Sequence, residues 1–212
     1  MEIYNSEQDQ VEALKAWWDK NGRITIVAIV LALLGVLGWK SWVQNQNQRA
    51  EAASAQYQQM LEALEANPEQ AVELGRTIVS EHSNSLYAVL ASMAMASAAV
   101  QQQDLAAAEA HLLLALGKAG QAEVEQLARL RLARVLHAQG KDDEALGLLS
   151  AEHAPGFRGG YAELRGDILF AQGKRDAARD AYNEALSGYS DAPEKRTLVQ
   201  MKLDDLAENK SE

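Results

Sequence analysis

The sequence contains no cysteine and only three prolines among its 212 residues. The first absence excludes disulfide bonds and thiolate metal ligands. The scarcity of proline, together with abundant alanine, favours helices, because proline costs about 3 kcal/mol in a helix interior. Positive charge is also scarce, with 20 Lys and Arg against 30 Asp and Glu and a net charge of −10. Such a chain repels phosphates, so we exclude nucleic-acid binding.

Catalytic and metal-binding patterns are missing as well. No glycine-rich phosphate loop with its lysine and no nucleophile elbow occurs. Adjacent acids such as Asp142 and Asp143 suit the start of a helix, where carboxylates stabilise the dipole, better than a catalytic dyad. We therefore expect a protein that is not an enzyme and needs no metal or cofactor; a hydrolase or transferase with a helical accessory region is the competing hypothesis. No two histidines have the i, i+3 or i, i+4 spacing of a helical metal site: they are His82, His111, His137 and His153.

One long apolar run is present near the start of the chain. Residues 24–39 carry no charge, and extending the run to Val43 gives about 20 residues, the length that crosses the hydrocarbon of a membrane. Lys40 is tolerated because its stem can reach the interface. All four tryptophans flank the run, two before it and two at its end, as expected at membrane–water boundaries. The pattern predicts a transmembrane helix over residues 24–43.

The charges beside this run predict its orientation. Three cations, Lys15, Lys20 and Arg23, precede it, whereas Lys40 and Arg49 follow it. The bias favours a cytoplasmic N-terminus and a single-pass anchor with the rest of the chain across the membrane. A cleaved signal peptide fits less well, because the preceding region is long and acidic and no small-residue cleavage site follows.

The predicted organisation has three parts: a short cytoplasmic head (1–23), the span (24–43) and a domain on the far side of the membrane (44–212). The head shows helical amphipathicity, and Asn21-Gly22 should end that helix. In the span, Ala28, Ala32 and Gly35 share one face, where small residues let another membrane helix approach closely. Their presence as common residues of any span is an equally good interpretation.

The domain is acidic and helical. Past residue 43, 16 Lys and Arg stand against 25 Asp and Glu. We expect the helix of the span to continue to about Ala66, and Pro68 to begin the next helix with Asn67 as its N-cap.

A repeat then appears. The tetrapeptide AQGK occurs at residues 138–141 and 171–174, and shifts of about 37 residues align two earlier segments with these copies. A period of 33–37 residues with two helices per unit predicts a helical solenoid of about four helix pairs. The second helices should begin near four polar residues: Glu69, Asp104, Lys141 and Lys174.

Recurring residues suggest how the pairs are built. A glycine ends each of the last two first helices in a left-handed turn. An alanine at 71, 108, 145 and 178 is small where two helices cross. Residues 194–208 carry Val199, Leu203 and Leu206 on one face and suit a capping helix that is polar outside, and residues 209–212 should fray. A glycine-rich stretch at residues 156–160 should form a flexible turn between the third and fourth pairs.

This pattern resembles the tetratricopeptide repeat. The early aromatic of the motif is Arg129 in one unit and Ala162 in the next, and the closing proline is absent, so we describe the repeats as tetratricopeptide-like. The matching positions in the last two units are Leu132, Ala133, Gly140 and Ala145, then Gly166, Gly173, Ala178, Tyr182, Ala185 and Leu186.

With its opening MEIYNSEQDQVEALKAWW, one span and tetratricopeptide-like repeats, the whole chain resembles the YfgM family of bacterial inner-membrane proteins. That resemblance implies an ancillary subunit of the SecYEG translocon whose repeats lie in the periplasm. It also implies a pairing with a membrane-anchored prolyl isomerase of the PpiD type and a role around emerging secreted chains. A coordinator of cell-envelope assembly or division, another periplasmic use of such repeats, is the alternative.

Two groups of side chains are candidate partner-binding residues. Met93 and Met95 lie in the apolar stretch 86–100 and could adapt to varied apolar segments, although core packing is the stronger interpretation. Arginines on the first helices could bind a partner carboxylate, although solvent exposure or internal pairing is again the stronger interpretation. These arginines are Arg129, Arg131, Arg134 and Arg165.

Overall fold

The computed structural model describes residues 7–208, and every regular element in that range is a helix. The chain divides into two compact units between Glu51 and Ala52, and each is described by itself. Nine α-helices form the described part: α1 (Glu7–Ala66), α2 (Pro68–Glu81), α3 (Leu86–Gln101), α4 (Leu105–Lys118), α5 (Ala122–Ala138), α6 (Asp142–Leu149), α7 (Arg158–Ala171), α8 (Arg175–Gly188) and α9 (Pro193–Glu208).

The first unit is the N-terminal part of α1, and its apolar run is exposed on every side. Residues 24–39 include no buried side chain, and within residues 7–208 α1 is the one helix long and apolar enough to cross a membrane. Such complete exposure of Leu, Ile and Val is typical of a helix whose partner is lipid. The predicted membrane helix is therefore present as a continuous helical segment.

The predicted break at Asn21-Gly22 is wrong, because α1 continues through both residues. The Asn21 side chain donates to the carbonyl of Trp17 at 3.1 Å, and the Thr25 hydroxyl donates to the carbonyl of Asn21 at 3.0 Å. Gly22 is covered by the indole of Trp18. Helical hydrogen bonding and this ring contact override the weak helix propensity of the pair.

The second unit consists of paired helices that begin where the repeat predicts. Asn67 caps α2 by accepting a hydrogen bond from the Gln70 amide at 3.2 Å, and Asp104 caps α4 through the Ala107 amide at 2.9 Å. The helices α6 and α8 begin one residue after Lys141 and Lys174. The C-terminal part of α1 pairs with α2 in sequence, followed by α3 with α4, α5 with α6 and α7 with α8, and α9 closes the series.

The recurring small residues have the predicted roles. All four repeat alanines are completely buried. Gly140 and Gly173 have φ of +76° and +74°, the left-handed conformation that ends α5 and α7. A Cβ atom on Gly166 would lie 2.5 Å from the ring of Tyr182, so that glycine allows α7 and α8 to pack closely.

The core runs through the pairs as neighbouring apolar clusters. In the first, Met60 of α1 packs with Ile78 of α2 and Met95 of α3. A central cluster joins α3 to α7, and the last contains Tyr182 with Val199 and Leu206 of α9. Each pair thus buries an apolar face against the next one, as in a solenoid.

Two details differ from expectation. The glycine-rich stretch is not a flexible turn: a short 3₁₀ turn (Pro155–Phe157) leads into α7, where Gly159 and Gly160 are buried. The predicted cap α9 is not wholly polar outside, because Leu198 and Met201 are 50% and 59% exposed. The predicted fraying of residues 209–212 lies outside the described residues.

Candidate partner-binding groove

A groove lies along the first helices of three successive pairs in the second unit. It consists of two adjoining cavities of about 740 and 350 Å³, which share Met93, Ser97 and Arg131 as lining residues. The first cavity is bordered by Tyr57 and Leu64 of α1, by α3 and by Leu127 and Arg131 of α5. The second continues between α3, α4 and α5. The groove is therefore elongated and open on one side.

In this groove, the walls of the second cavity are mainly apolar, whereas those of the first are a more even mixture of polar and apolar surface. Its side chains come from helices whose opposite faces form the core, so the backbone under the groove is held by packing on both sides. The apolar lining residues with accessible surface include Leu64, Leu90, Val100 and Leu127. A concave, mainly apolar surface with a few polar groups is the usual form of a binding site.

Arg131 and Arg134 supply the cationic groups of the groove. They are three residues apart on α5, so they lie about one turn from each other on the same face. Both are exposed, and neither forms a hydrogen bond or ion pair within residues 7–208. Burial raises the pKa of the Tyr57 phenol, and the positive charge of Arg131 across the groove opposes that rise. Both guanidinium groups therefore remain open to a ligand.

The other two candidate arginines are engaged within the domain. Arg129 forms an ion pair with Glu125 one turn before it. Arg165 of α7 forms an ion pair with Glu184 of α8, which Arg158 approaches at 3.5 Å. Internal pairing, one of the two alternatives to partner binding that were predicted from the sequence, is thus the arrangement of these two side chains.

The two candidate methionines are in the core. Met95 is 1% exposed and packs beside Gly75, where an added Cβ would lie 2.8 Å from its sulfur. Met93 is 2% exposed and lies at the floor of the groove, where the two cavities meet. Of the two, only Met93 borders the groove, and Met95 presents no accessible surface to a partner.

A half-buried ionic cluster lies on α7, α8 and α9. Lys202 donates to Glu163 at 2.8 Å and to both oxygens of Asp167 at 2.8 and 2.9 Å. Tyr182 donates to Asp167 and Tyr189 donates to Glu163, both at 2.8 Å. Burial and these carboxylates raise the pKa of both phenols, which therefore stay protonated donors. Each of these groups has a partner, which indicates a structural role.

This cluster was missed by the sequence reasoning. Glu163 and Asp167 are four residues apart on one face of α7, a spacing visible in the sequence. Their common partner Lys202 lies 35 residues or more away, and only packing of α9 brings it there. Among the described residues, no group of three or more His, Asp or Glu side chains is arranged to hold a metal ion.

In the first unit, Ala28, Ala32 and Gly35 are exposed along the helix. An added Cβ on Gly35 would meet nothing within 4 Å. The three residues therefore form an open strip of low relief, flanked by larger side chains such as Leu31 and Leu34.

Comparison with known proteins agrees with the repeat architecture. A family model described as a tetratricopeptide repeat-like domain matches residues 15–208. The chain is 32% identical over 200 residues to a protein of Haemophilus influenzae named "Ancillary SecYEG translocon subunit", covering 94% of this chain and 97% of that protein. Proteins with the same name from Escherichia coli and Neisseria gonorrhoeae are 31% identical over 208 residues and 30% identical over 209. They match 98% and 97% of this chain, and each is covered completely.

Proposed function

We propose that this chain, which belongs to the family of ancillary SecYEG translocon subunits and has a tetratricopeptide-like domain, is a non-enzymatic scaffold anchored in the bacterial inner membrane. Its span holds the domain beside the translocon, and the groove binds a partner protein or an emerging secreted chain. The observation that carries this proposal is the open groove, in which apolar side chains lie beside two arginines that have no ion-pair partner within residues 7–208. A PpiD-type prolyl isomerase anchored in the same membrane is the proposed partner.

Photo-cross-linking in intact cells tests this role. Photoreactive residues at positions 97 and 101, which are exposed on α3 and line the groove, sample it without removing either arginine. Residues at positions 76 and 179, on the second helices α2 and α8, sample the other side of the pairs. We expect adducts with translocon subunits, the isomerase or secreted chains from the groove positions. Equal adducts from both sets would contradict use of the groove, and adducts limited to division or envelope-building proteins would move the function to that process.

The proposed topology places the head in the cytoplasm and the domain in the periplasm. Because the chain has no cysteine, one introduced at the exposed Ser190 reports on a single site. We expect it to react with a membrane-impermeant maleimide once the outer membrane is opened. A cysteine at Lys15, before the span, should react only after the inner membrane is lysed. The reverse pattern would invert the topology.

The strip of Ala28, Ala32 and Gly35 is the proposed contact of the span with a translocon helix, because small residues permit close approach in lipid. Replacing all three with leucine should reduce co-isolation of the translocon while leaving membrane integration intact. Leu37→Phe, on the opposite side of the helix, serves as the control enlargement and should change neither measurement. If the triple variant still co-isolates the translocon as well as wild type does, the strip is not part of the interface.

A further inference from the structure

The charge of the groove is opposite to that of the domain around it. Past residue 43 the chain has a net charge of −9, yet the groove presents two guanidinium groups on α5. Surface arginines elsewhere in the repeats are paired, such as Arg76 with Glu73 and Arg179 with Asp176. Arg131 and Arg134 have no such partner within the described residues. An acidic domain that keeps two cations unpaired in a groove is arranged for an anionic ligand.

The neighbouring acids do not neutralise these arginines. Glu163 of α7 is close enough for the charge of Arg134 to lower its pKa, but its oxygens accept hydrogen bonds from Lys202 and Tyr189. Glu65 lines the first cavity from α1, on the wall opposite Arg131, and forms no ion pair with it. The lining of the two cavities thus includes one carboxylate, on α1, and two guanidinium groups, on α5.

The shape indicates a chain segment instead of a small molecule. The two cavities adjoin along the first helices. Together they exceed the usual volume range of small-molecule sites, and they remain open on one side. Beside the arginines, α3 contributes apolar side chains to the groove, namely Leu90, Met93 and Val100. A peptide segment with apolar side chains on one face and carboxylates on the other matches both features.

We infer that the groove binds an apolar segment of a partner protein that carries carboxylates, and that Arg131 and Arg134 select it over neutral or basic segments. This inference rests on the proposed scaffold function and specifies the ligand of its groove. The apolar side chains pack against α3, and the carboxylates accept hydrogen bonds from the two guanidinium groups. Basic segments are rejected because they would place like charges together on α5.

Three fluorescent peptides test this selection against the full chain in nanodiscs of zwitterionic lipid, with binding to empty nanodiscs subtracted. The first contains leucine, phenylalanine and glutamate; the second has glutamine and the third lysine in place of glutamate. We expect the acidic peptide to bind at least about tenfold more tightly than the neutral one, and salt to weaken it. Equal affinities, or preference for the basic peptide, would overturn the inference.

Variants then assign the selectivity to α5. The double variant Arg131→Gln and Arg134→Gln should raise the Kd of the acidic peptide about tenfold and leave that of the neutral peptide unchanged. Arg76→Gln with Arg179→Gln removes the same net charge from the other helices of the pairs and should retain the preference. Circular dichroism melting of both variants separates lost binding from lost folding. Equal weakening by the two double variants would show a general charge effect and refute selection by the groove.

The outcomes also separate this inference from the function on which it rests. If the wild-type chain forms translocon adducts in cells but lacks the acidic preference, the ligand assignment fails and the scaffold role stands. If the acidic preference is present but groove positions form no adducts with translocon subunits, the isomerase or secreted chains, the scaffold role fails instead.

Discussion

Two apolar helical stretches of this chain have opposite surroundings. Residues 24–39 of α1 and the whole of α3 both lack charged side chains, yet the first is exposed on all sides and the second is largely buried. Hydropathy alone does not separate them. Helix α3 has 16 residues and spans about 24 Å, which is shorter than the ~30 Å hydrocarbon layer. It is also rich in alanine, so α2, α4 and α5 can approach it closely.

The two regions also differ in the ionisable groups that they contain. The apolar part of α1 contains no ionisable group, because lipid offers no partner for one. The domain half-buries Lys202 with Glu163 and Asp167, since neighbouring helices supply the hydrogen bonds. The two regions thus differ in what surrounds their side chains, which is lipid for the span and neighbouring helices for the domain. We make four predictions that test this difference.

The largest effect is expected from arginines in the span. Leu31→Arg with Leu34→Arg should prevent stable integration, because each arginine at the centre of a membrane helix costs about 3 kcal/mol. Carbonate extraction should release the variant from membranes. Leu113→Arg with Leu198→Arg, at similarly exposed leucines of the domain, should remain in the membrane fraction. Retention of both variants would contradict the assignment of the span.

A core substitution in α3 should have the converse effect. Met95→Ala should lower the free energy of unfolding of the domain by about 2–5 kcal/mol, because it leaves a cavity beside Gly75 and Met60. Denaturant titration by circular dichroism of the full chain in detergent measures this loss, and carbonate extraction should be unchanged. Val100→Ala, on the exposed side of α3, should change stability by less than about 0.5 kcal/mol. Similar losses for both would argue against burial of one face.

Removing the cation of the ionic cluster should lower the free energy of unfolding by less than the core substitution does. Lys202→Met should lower stability at neutral pH by about 2 kcal/mol, because Glu163 and Asp167 lose their shared donor while remaining half-buried. The same titration measures it. Lys174→Met, at an exposed lysine whose side chain has no ion-pair partner within residues 7–208, is the control and should be close to neutral. A stabilised Lys202→Met variant would show that desolvation outweighs the pairing.

The smallest effect is the pH dependence of that loss. Burial acts to raise the pKa of Glu163, but the hydrogen bonds from Lys202 and Tyr189 outweigh it and hold the pKa below its usual value of 4.5. Burial acts to lower the pKa of Lys202, but hydrogen bonds to Asp167 and Glu163 raise it above 10.5. The stabilisation by Glu163 is thus fully present above pH 4.5 and is lost as the pH falls through the lower pKa of the folded state. The stabilisation by Lys202 is present below pH 10.5 and is lost as the pH rises through the higher pKa of the folded state.

Consequently the stability difference between wild type and Lys202→Met should be constant near neutral pH and shrink on acidification below about 4.5. Melting both proteins in parallel across this range checks the expectation. A difference that grows on acidification would reverse the sign of the assigned pKa shift. For Lys174→Met the difference should remain near zero throughout.

The sequence by itself determined the elements that depend on local chemistry. The uncharged run of α1, the Asn67 cap before Pro68 and the left-handed glycines at 140 and 173 follow from length, hydrogen-bonding side chains and backbone freedom within a few residues. The alanine that recurs at positions 71, 108, 145 and 178 predicted four helix pairs. These features need no knowledge of distant residues.

Only the tertiary structure decided which candidate side chains remain available. Arg129 and Arg165 are paired with Glu125 and Glu184. Arg131 and Arg134, on the same kind of helix, have no ion-pair partner in the part of the chain that the structure describes. Likewise, packing of α9 brings Lys202 to Glu163 across 39 residues of sequence. Helical periodicity places a side chain on a face, but the neighbouring helices determine whether that face meets a carboxylate, a core or an open groove, and this is a property of the packed domain.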